Sequence, residues 1–345
     1  MKEKTPLMNE WQKLYDVAVE FKKLECWGWM YDDDLFGVQN PDDGETGYCC
    51  IMGIFRQMFG IAVYLGADGL DGYLKIQSGE IGEADPDALY CQKCIMASFE
   101  DRDYLWKEDL QLIKKLGLKF RGRNQWPMFR SYRPGYVPWL LTKKEVLFLT
   151  VALEQAIDVA VRFREDEGLL APRGKNKYLI RVPDKIEDII LWEDRWIKPA
   201  PVKKTRLPKL SDDRVDEIRI QKIKKKAVRT SNIWEIELAF SPTPVREKKE
   251  RPYFPRMLAV IDQRSILGLD FHIFKISSNV SEFRNHFLGF LEKHGALPKE
   301  ILVGNDETLQ IIAPIASLLK INVKSDSELL AMEEFNHAMF DFFKA

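Results

Sequence analysis

WEIELAF (234–240), MLAVIDQRSILGLDFHIF (257–274), SEFRNHFLGFLEKHG (281–295), ILVGND (301–306) and ETLQIIAPIASLLK (307–320) decide the fold of this chain. The first segment alternates apolar and polar residues at the period of a half-buried strand. The second is strand-like on both sides of DQRS, which reads as the bend of a hairpin. SEFRNHFLGFLEKHG reads as an amphipathic helix, ILVGND as a buried strand and ETLQIIAPIASLLK as a second helix. INVKS (321–325) then gives a short strand, and a final helix is expected from Asp326. The resulting order is β-β-β-α-β-α-β-α.

That order resembles the ribonuclease H-like fold, and WEIEL, VIDQRSILG and LPKEILVGND are similar to the catalytic core of integrases and transposases. The resemblance implies carboxylates from strand one, strand four and a later helix, gathered around two divalent cations that activate water and stabilise the leaving oxygen. Glu237 stands at the strand-one position, where integrase-like enzymes use Asp. The strand-four signature Asp-Asn-Gly is represented by Gly304-Asn305-Asp306, so glycine occupies the catalytic position and Asp306 falls two residues late. Glu333 or Glu334 supplies the helix acid, and Asp262 matches a turn residue. With one ligand lost and one substituted, an inactive domain is expected over 233–345. No cofactor is then required, and magnesium or manganese enters only if Glu237, Asp306 and Glu333 or Glu334 converge.

Length and composition frame the rest. A chain of 345 residues, 46% hydrophobic and 12% aromatic, is long enough for two packed domains and too apolar for global disorder. No apolar run has membrane-spanning length and the first residues lack a signal-peptide core, so a cytoplasmic protein without a membrane partner is expected. Five cysteines, at 26, 49, 50, 91 and 94, are an odd set that fits a reducing compartment. The net charge of −1 hides a segregation: nine Lys and Arg and no acid lie between Leu110 and Lys144. Such a footprint suits an anionic partner or electrostatic docking within the protein.

Residues 1–167 read as an α+β domain. EWQKLYDVAVEFKKLECW has helical spacing, with Asn9 expected at the N-cap. The acidic run Asp32–Asp34 is a turn or a hard-cation site, without the ligand spacing of a calcium loop. YCCIMGI and MFGIAVYLG pair as strands, followed by a helix over ADGLDGYLKIQSG. YCQKCIMAS is a strand whose lone Cys91-Gln-Lys-Cys94 reads as structural thiols, since zinc sites draw four ligands from two knuckles. EDLQLIKKLGLKF is a helix closed by Gly117. TKKEVLFLTVALEQAIDVAVRFRE opens on a capping box of Thr142 and Glu145. YDDDLFGV, GYCCIMGIFRQMFGIAVYLG and LGLKFRGRNQWPMFRSYRPGYVPW resemble a bacterial and archaeal family without assigned function. That family commonly precedes a second domain similar to residues 234–345, and it transfers no catalytic residues.

The stretch RGRNQWPMFRSYRPGYVPWLLTKKE reads as a loop. It interleaves Arg121, Arg123, Arg130 and Arg133 with Trp126, Phe129, Tyr132, Tyr136 and Trp139. Arginine forks on phosphates and aromatic faces under unpaired bases make such a mixture suitable for single-stranded nucleic acid. The same mixture also builds an ordered loop with arginines stacked on aromatic rings. Residues 168–232 are expected as a basic, proline-containing connector with short strands and a helix capped by Ser211. The four histidines form no HExxH or Cys-His pair, and no nucleophile elbow or phosphate loop is present. The chain is therefore expected to bind nucleic acid or protein rather than to catalyse, with a metal-dependent nuclease as the alternative.

Overall fold

The computed structural model describes residues 4–82, 86–187, 189–202, 215–248, 250–326 and 328–344. The chain divides into two compact units, Met1–Lys204 and Thr205–Ala345. Both are mixed α/β structures.

The first unit runs α1 (Met8–Leu24), β1 (Phe36–Gln39), β2 (Thr46–Met52), β3 (Gly60–Leu65), α2 (Gly66–Gln77) and α3 (Pro86–Cys91). It continues with β4 (Cys94–Glu100), α4 (Lys107–Lys115), β5 (Trp126–Tyr132), α5 (Lys143–Glu165), β6 (Tyr178–Ile186) and β7 (Ile189–Ile197). Among the described residues the strands form one seven-stranded sheet ordered β5-β4-β3-β2-β1-β6-β7. Only the β1–β6 pair in it is parallel. Cys49, Ile51, Ile61, Val63, Ile95 and Ala97 face a core shared with α1 and α5. Their neighbours Tyr48, Cys50, Ala62, Tyr64 and Met96 face a second core with Leu70 and Tyr73 of α2. Burial on both faces explains why these strands read as continuous apolar runs.

Local chemistry sets the helix ends. The Glu145 carboxylate accepts the Thr142 N–H at 2.7 Å while the Thr142 hydroxyl accepts the Glu145 N–H, the expected capping box. Gly117, at φ +71°, closes α4 in the left-handed conformation that glycine adopts without a Cβ clash. At α1 the expectation is corrected: Leu7 occupies the cap, its N–H held by Glu10 at 2.7 Å, and Asn9 lies in the first turn.

Three other segments differ from the sequence reading. Residues 90–98 are not one strand, because α3 ends at Cys91 before β4 starts. The arginine-aromatic stretch is not all loop: Trp126–Tyr132 is the edge strand β5, and Pro127 is tolerated there. The segment 168–232 is divided between the units, since β6 and β7 complete the first sheet. The part of it covering 203–214, Ser211 included, lies outside the described residues.

The first described helix of the second unit is α6 (Glu217–Lys226), capped by Asp216, whose side chain accepts the Arg219 N–H at 3.1 Å. It continues with β8 (Val228–Arg229), β9 (Ile233–Phe240), β10 (Arg256–Asp262), β11 (Leu267–Phe274), α7 (Val280–His294) and β12 (Ala296–Leu297). The last elements are β13 (Glu300–Val303), α8 (Asp306–Leu319), β14 (Asn322–Ser325) and α9 (Leu330–Lys344). Five described strands form a mixed sheet ordered β11-β10-β9-β13-β14. β9, β10 and β11 pair antiparallel, whereas β13 lies parallel to both β9 and β14. Trp234, Ile236, Leu258 and Val260 face a core with α7 and α8. Ala259, Ile261 and Leu302 face Ala331 and Met332 of α9. The hairpin bends where expected, with Asp262 Oδ1 accepting both the N–H and the hydroxyl of Ser265. Asp326 does not start the last helix; its side chain accepts the Glu328 N–H, and α9 begins at Leu330.

Candidate functional site

The basic stretch of the first unit is built in two directions. Arg130 of β5 is 3% exposed and grips Asp109 of α4 with both terminal nitrogens, at 3.0 and 2.6 Å. The guanidinium also stacks 4.0 Å from the Trp106 ring centroid. Arg133 reaches Glu145 at 3.1 Å, the glutamate that closes the capping box and accepts the Ser131 hydroxyl. Burial raises the Glu145 pKa, but the Thr142 N–H, Arg133 and the Ser131 hydroxyl outweigh it and hold it below the usual carboxylate value. Arg130 and Arg133 therefore organise the domain, and the acids they use flank the stretch.

Arg121 and Arg123 point outward. Arg123 is almost fully exposed and stands 3.7 Å from Asp101. Arg121 lines a groove of about 590 Å³ between α4 and residues 117–126. The described lining holds five cations, Arg102, Lys107, Lys114, Lys119 and Arg121, and no acid. Phe120 and Trp126 form its aromatic wall, their ring centroids 5.9 Å apart, and Arg102 lies over Trp126. Only Arg121 among the four arginines singled out in the sequence lines this groove. Lys107 and Lys114 of α4 and Arg102 join Arg121 in this lining only in the folded chain.

The second unit does not bring its expected carboxylates together. Glu237 lies on the α9 face of β9, one alternation from Trp234, Ile236 and Leu238 in the opposite core. Asp306 is exposed at the start of α8, which packs on that opposite face. Glu333 and Glu334 are exposed, and α9 turns Ala331, Met332 and Phe335 towards the sheet. A Cβ on Gly304 would meet Glu237 Oε1 and Leu329 Cδ1 at 3.1 Å, so the strand-four position has little room for a carboxylate. Asn305 is committed to capping α8 through the Thr308 N–H and hydroxyl. Among the described residues no group of three or more His, Cys, Asp or Glu side chains is placed to hold a metal ion. The two-cation arrangement of the resembling enzymes does not fit these residues.

Sequence reasoning passed over Glu235. It is fully buried on the α9 face, and its Oε2 accepts the Met332 N–H at 2.8 Å in the first turn of α9. Its Oε1 has no hydrogen-bond partner among the described residues. A carboxylate at a helix N-terminus is stabilised by unpaired N–H groups and the helix dipole. The alternation in WEIEL put Glu235 on the same face as Glu237, which was the available signal.

The histidines are not all single. His286 lies 2.6 Å from Asp270, and His272 stacks on it at 4.1 Å between centroids. Burial and the neighbouring imidazole of His286 hold the His272 pKa below its usual value. The CxxC thiols do not make a metal knuckle, since Cys91 closes a helix and Cys94 is buried at the start of a strand. Burial pushes the Cys94 thiol far above its usual value, away from the thiolate that a ligand requires. Asp32 to Asp34 form a turn, with Asp34 accepting the Tyr31 N–H.

Two family models match the chain. A domain of unknown function, DUF7309, matches residues 11–181, and a second, DUF6930, matches residues 219–340. The protein is thus a two-domain chain of DUF7309 followed by DUF6930, and it belongs to the two-domain family whose pieces the sequence resembled. No curated protein matches it. Among solved structures it is similar to a chain of the "Crystal structure of the Mos1 Strand Transfer Complex", at 10% identity over 77% of this chain and 71% of that one. The TM-score is 0.22, too low to define a shared fold. No described helix is long and apolar enough to cross a membrane.

Proposed function

We propose that this chain binds single-stranded nucleic acid through the groove between α4 and residues 117–126 and has no catalytic activity of its own. The observation that carries the reading is that lining: five cations, two aromatic rings and no acid. Cations neutralise successive phosphates, and aromatic faces stack on unpaired bases with little regard for sequence. The second unit is a ribonuclease H-like domain whose metal-binding carboxylates have been replaced. Support for that part is the order β-β-β-α-β-α-β-α around a central mixed sheet, with Gly304 at the strand-four position.

Titration of a fluorescent single-stranded oligonucleotide at several salt concentrations tests the reading. Each phosphate contact on a single strand contributes about 0.7 to the slope of log affinity against log salt. Replacing Lys114, Lys119 and Arg121 together by Ala should reduce that slope by about 2 and weaken binding at every salt concentration. Unchanged affinity and slope would remove the groove from consideration. Magnesium- or manganese-dependent cleavage that disappears in Glu237→Gln would overturn the non-catalytic half.

A further inference from the structure

The two edges of the first sheet are treated differently. β5 is an edge strand with Pro127 in it, and its end is bridged by Trp139 to Ser131. β7 has neither device. It pairs with β6 from Tyr178↔Ile197 to Ile186↔Ile189 without a bulge, and it contains no proline and no lysine. Its apolar side chains are open to solvent, with Ile189 64% and Leu191 50% exposed. Soluble proteins protect long regular edges with prolines, bulges or charged side chains, lysine above all, because the unpaired backbone groups otherwise recruit another strand. The charges of β7, Glu193, Asp194 and Arg195, are of both signs and can be matched by a second copy.

The sequence of β7 also specifies a partner. Around Asp194 it reads Leu191-Trp192-Glu193-Asp194-Arg195-Trp196-Ile197, symmetric in chemical character about its centre. We infer that β7 pairs antiparallel with β7 of a second copy of this chain, in the register that places Asp194 opposite Asp194. That register sets Glu193 against Arg195 twice, Trp192 against Trp196 twice and Leu191 against Ile197 twice. Moving the centre to Glu193 or Arg195 would oppose like charges and set Leu191 or Ile197 against a charged residue. The self-facing Asp194 is tolerable because Arg162 and Arg181 already neutralise it within each copy. Burial resists ionisation of Asp194, but those two guanidiniums outweigh it and hold its pKa below the usual value. A two-fold axis through a residue pair runs perpendicular to the sheet, so both copies present the same face to the same side. Trp192 and Trp196, which pack beside α5, then meet their counterparts on one face while the Glu–Arg pairs form on the other.

Sedimentation velocity of the full chain over a wide concentration range tests this with a charge exchange. The wild-type chain should reach a dimer. Glu193→Arg and Arg195→Glu, each alone, oppose like charges twice and should raise the dimer dissociation constant by about tenfold or more. The two substitutions together should restore the wild-type constant. Circular dichroism of each variant reports that the exposed changes leave folding intact. A wild-type chain that stays monomeric throughout, single variants that dimerise as before, or an exchange that fails to rescue would each overturn the assignment.

Discussion

Arg130 in the first unit and Glu235 in the second are among the most deeply buried charged side chains of each, and the two are handled in opposite ways. In the first, Arg130 is held at both terminal nitrogens by Asp109 and covered by Trp106. In the second, Glu235 is equally inaccessible, but one oxygen takes a backbone N–H of α9 and the other takes nothing described. A buried ion is tolerated when its partner and hydrogen bonds replace the lost water. Arg130 meets that condition through a second charge, which ties α4 to the edge strand. Glu235 meets it partly, through a helix terminus, which ties α9 to the centre of the sheet. The first arrangement fails if either charge is removed alone. The second depends mainly on an acceptor atom.

The largest effect should therefore come from Asp109→Ala, which strands a guanidinium in the core. Removing one partner of a buried pair costs about 3–5 kcal/mol, a large share of the stability of an ordinary domain. Denaturant unfolding of the full chain should show the first unit lowered by that amount. A loss below about 1 kcal/mol, the range of exposed pairs, would mean that Arg130 escapes to water.

Glu235 sharpens the contrast. Glu235→Ala leaves the Met332 N–H without an acceptor and should destabilise the second unit by about 1–3 kcal/mol. Glu235→Gln keeps an oxygen for that N–H and removes the charge, so its cost should stay under about 1 kcal/mol. Equal losses in the two variants would show that the charge itself holds α9.

The same difference explains what the sequence could reveal. Apolar runs placed β2 and β3, period-2 alternation placed β9, and helical spacing placed α1, α5, α7 and α8, because each pattern records which faces are buried. The capping box at Thr142 and Glu145 and the glycine after α4 were legible because their signals span a few residues. The role of Arg130 was not, because its partner lies 21 positions earlier and nothing local separates a stacked, paired arginine from a phosphate-binding one. Pro127 in β5 suggested a loop, since only an edge position tolerates proline, and edges are a property of the whole sheet. The isolation of Glu237 from Asp306 likewise depends on which sheet face each helix covers.

The next effect concerns the box itself. Thr142→Ala removes the hydroxyl that accepts the Glu145 N–H and should cost about 1 kcal/mol. Glu145 also gives this unit a pH dependence. Its folded pKa lies below the unfolded value, so its contribution is complete above about pH 4.3 and is lost as the pH falls through the folded pKa. Stability measured against pH should fall less steeply in Glu145→Gln below about pH 4.3 than in the wild-type chain. Parallel curves would assign the acid sensitivity to other carboxylates.

The smallest expected stability change divides the basic stretch most sharply. Lys114, Lys119 and Arg121 line the groove, where water and salt already solvate their charges. Substituting exposed side chains away from caps and buried networks usually changes stability by less than about 0.5 kcal/mol. The triple alanine variant should therefore unfold like the wild-type chain, even as it loses affinity for single strands. Arg130→Ala should do the reverse per charge removed, unfolding early because Asp109 is left buried without its partner. Adding Arg130→Ala to the triple variant should give the sum of their separate stability changes if they share no partners. A combined loss well beyond that sum would show that the groove cations help to hold the Arg130 network. The inward and outward halves of the stretch would then be one electrostatic unit.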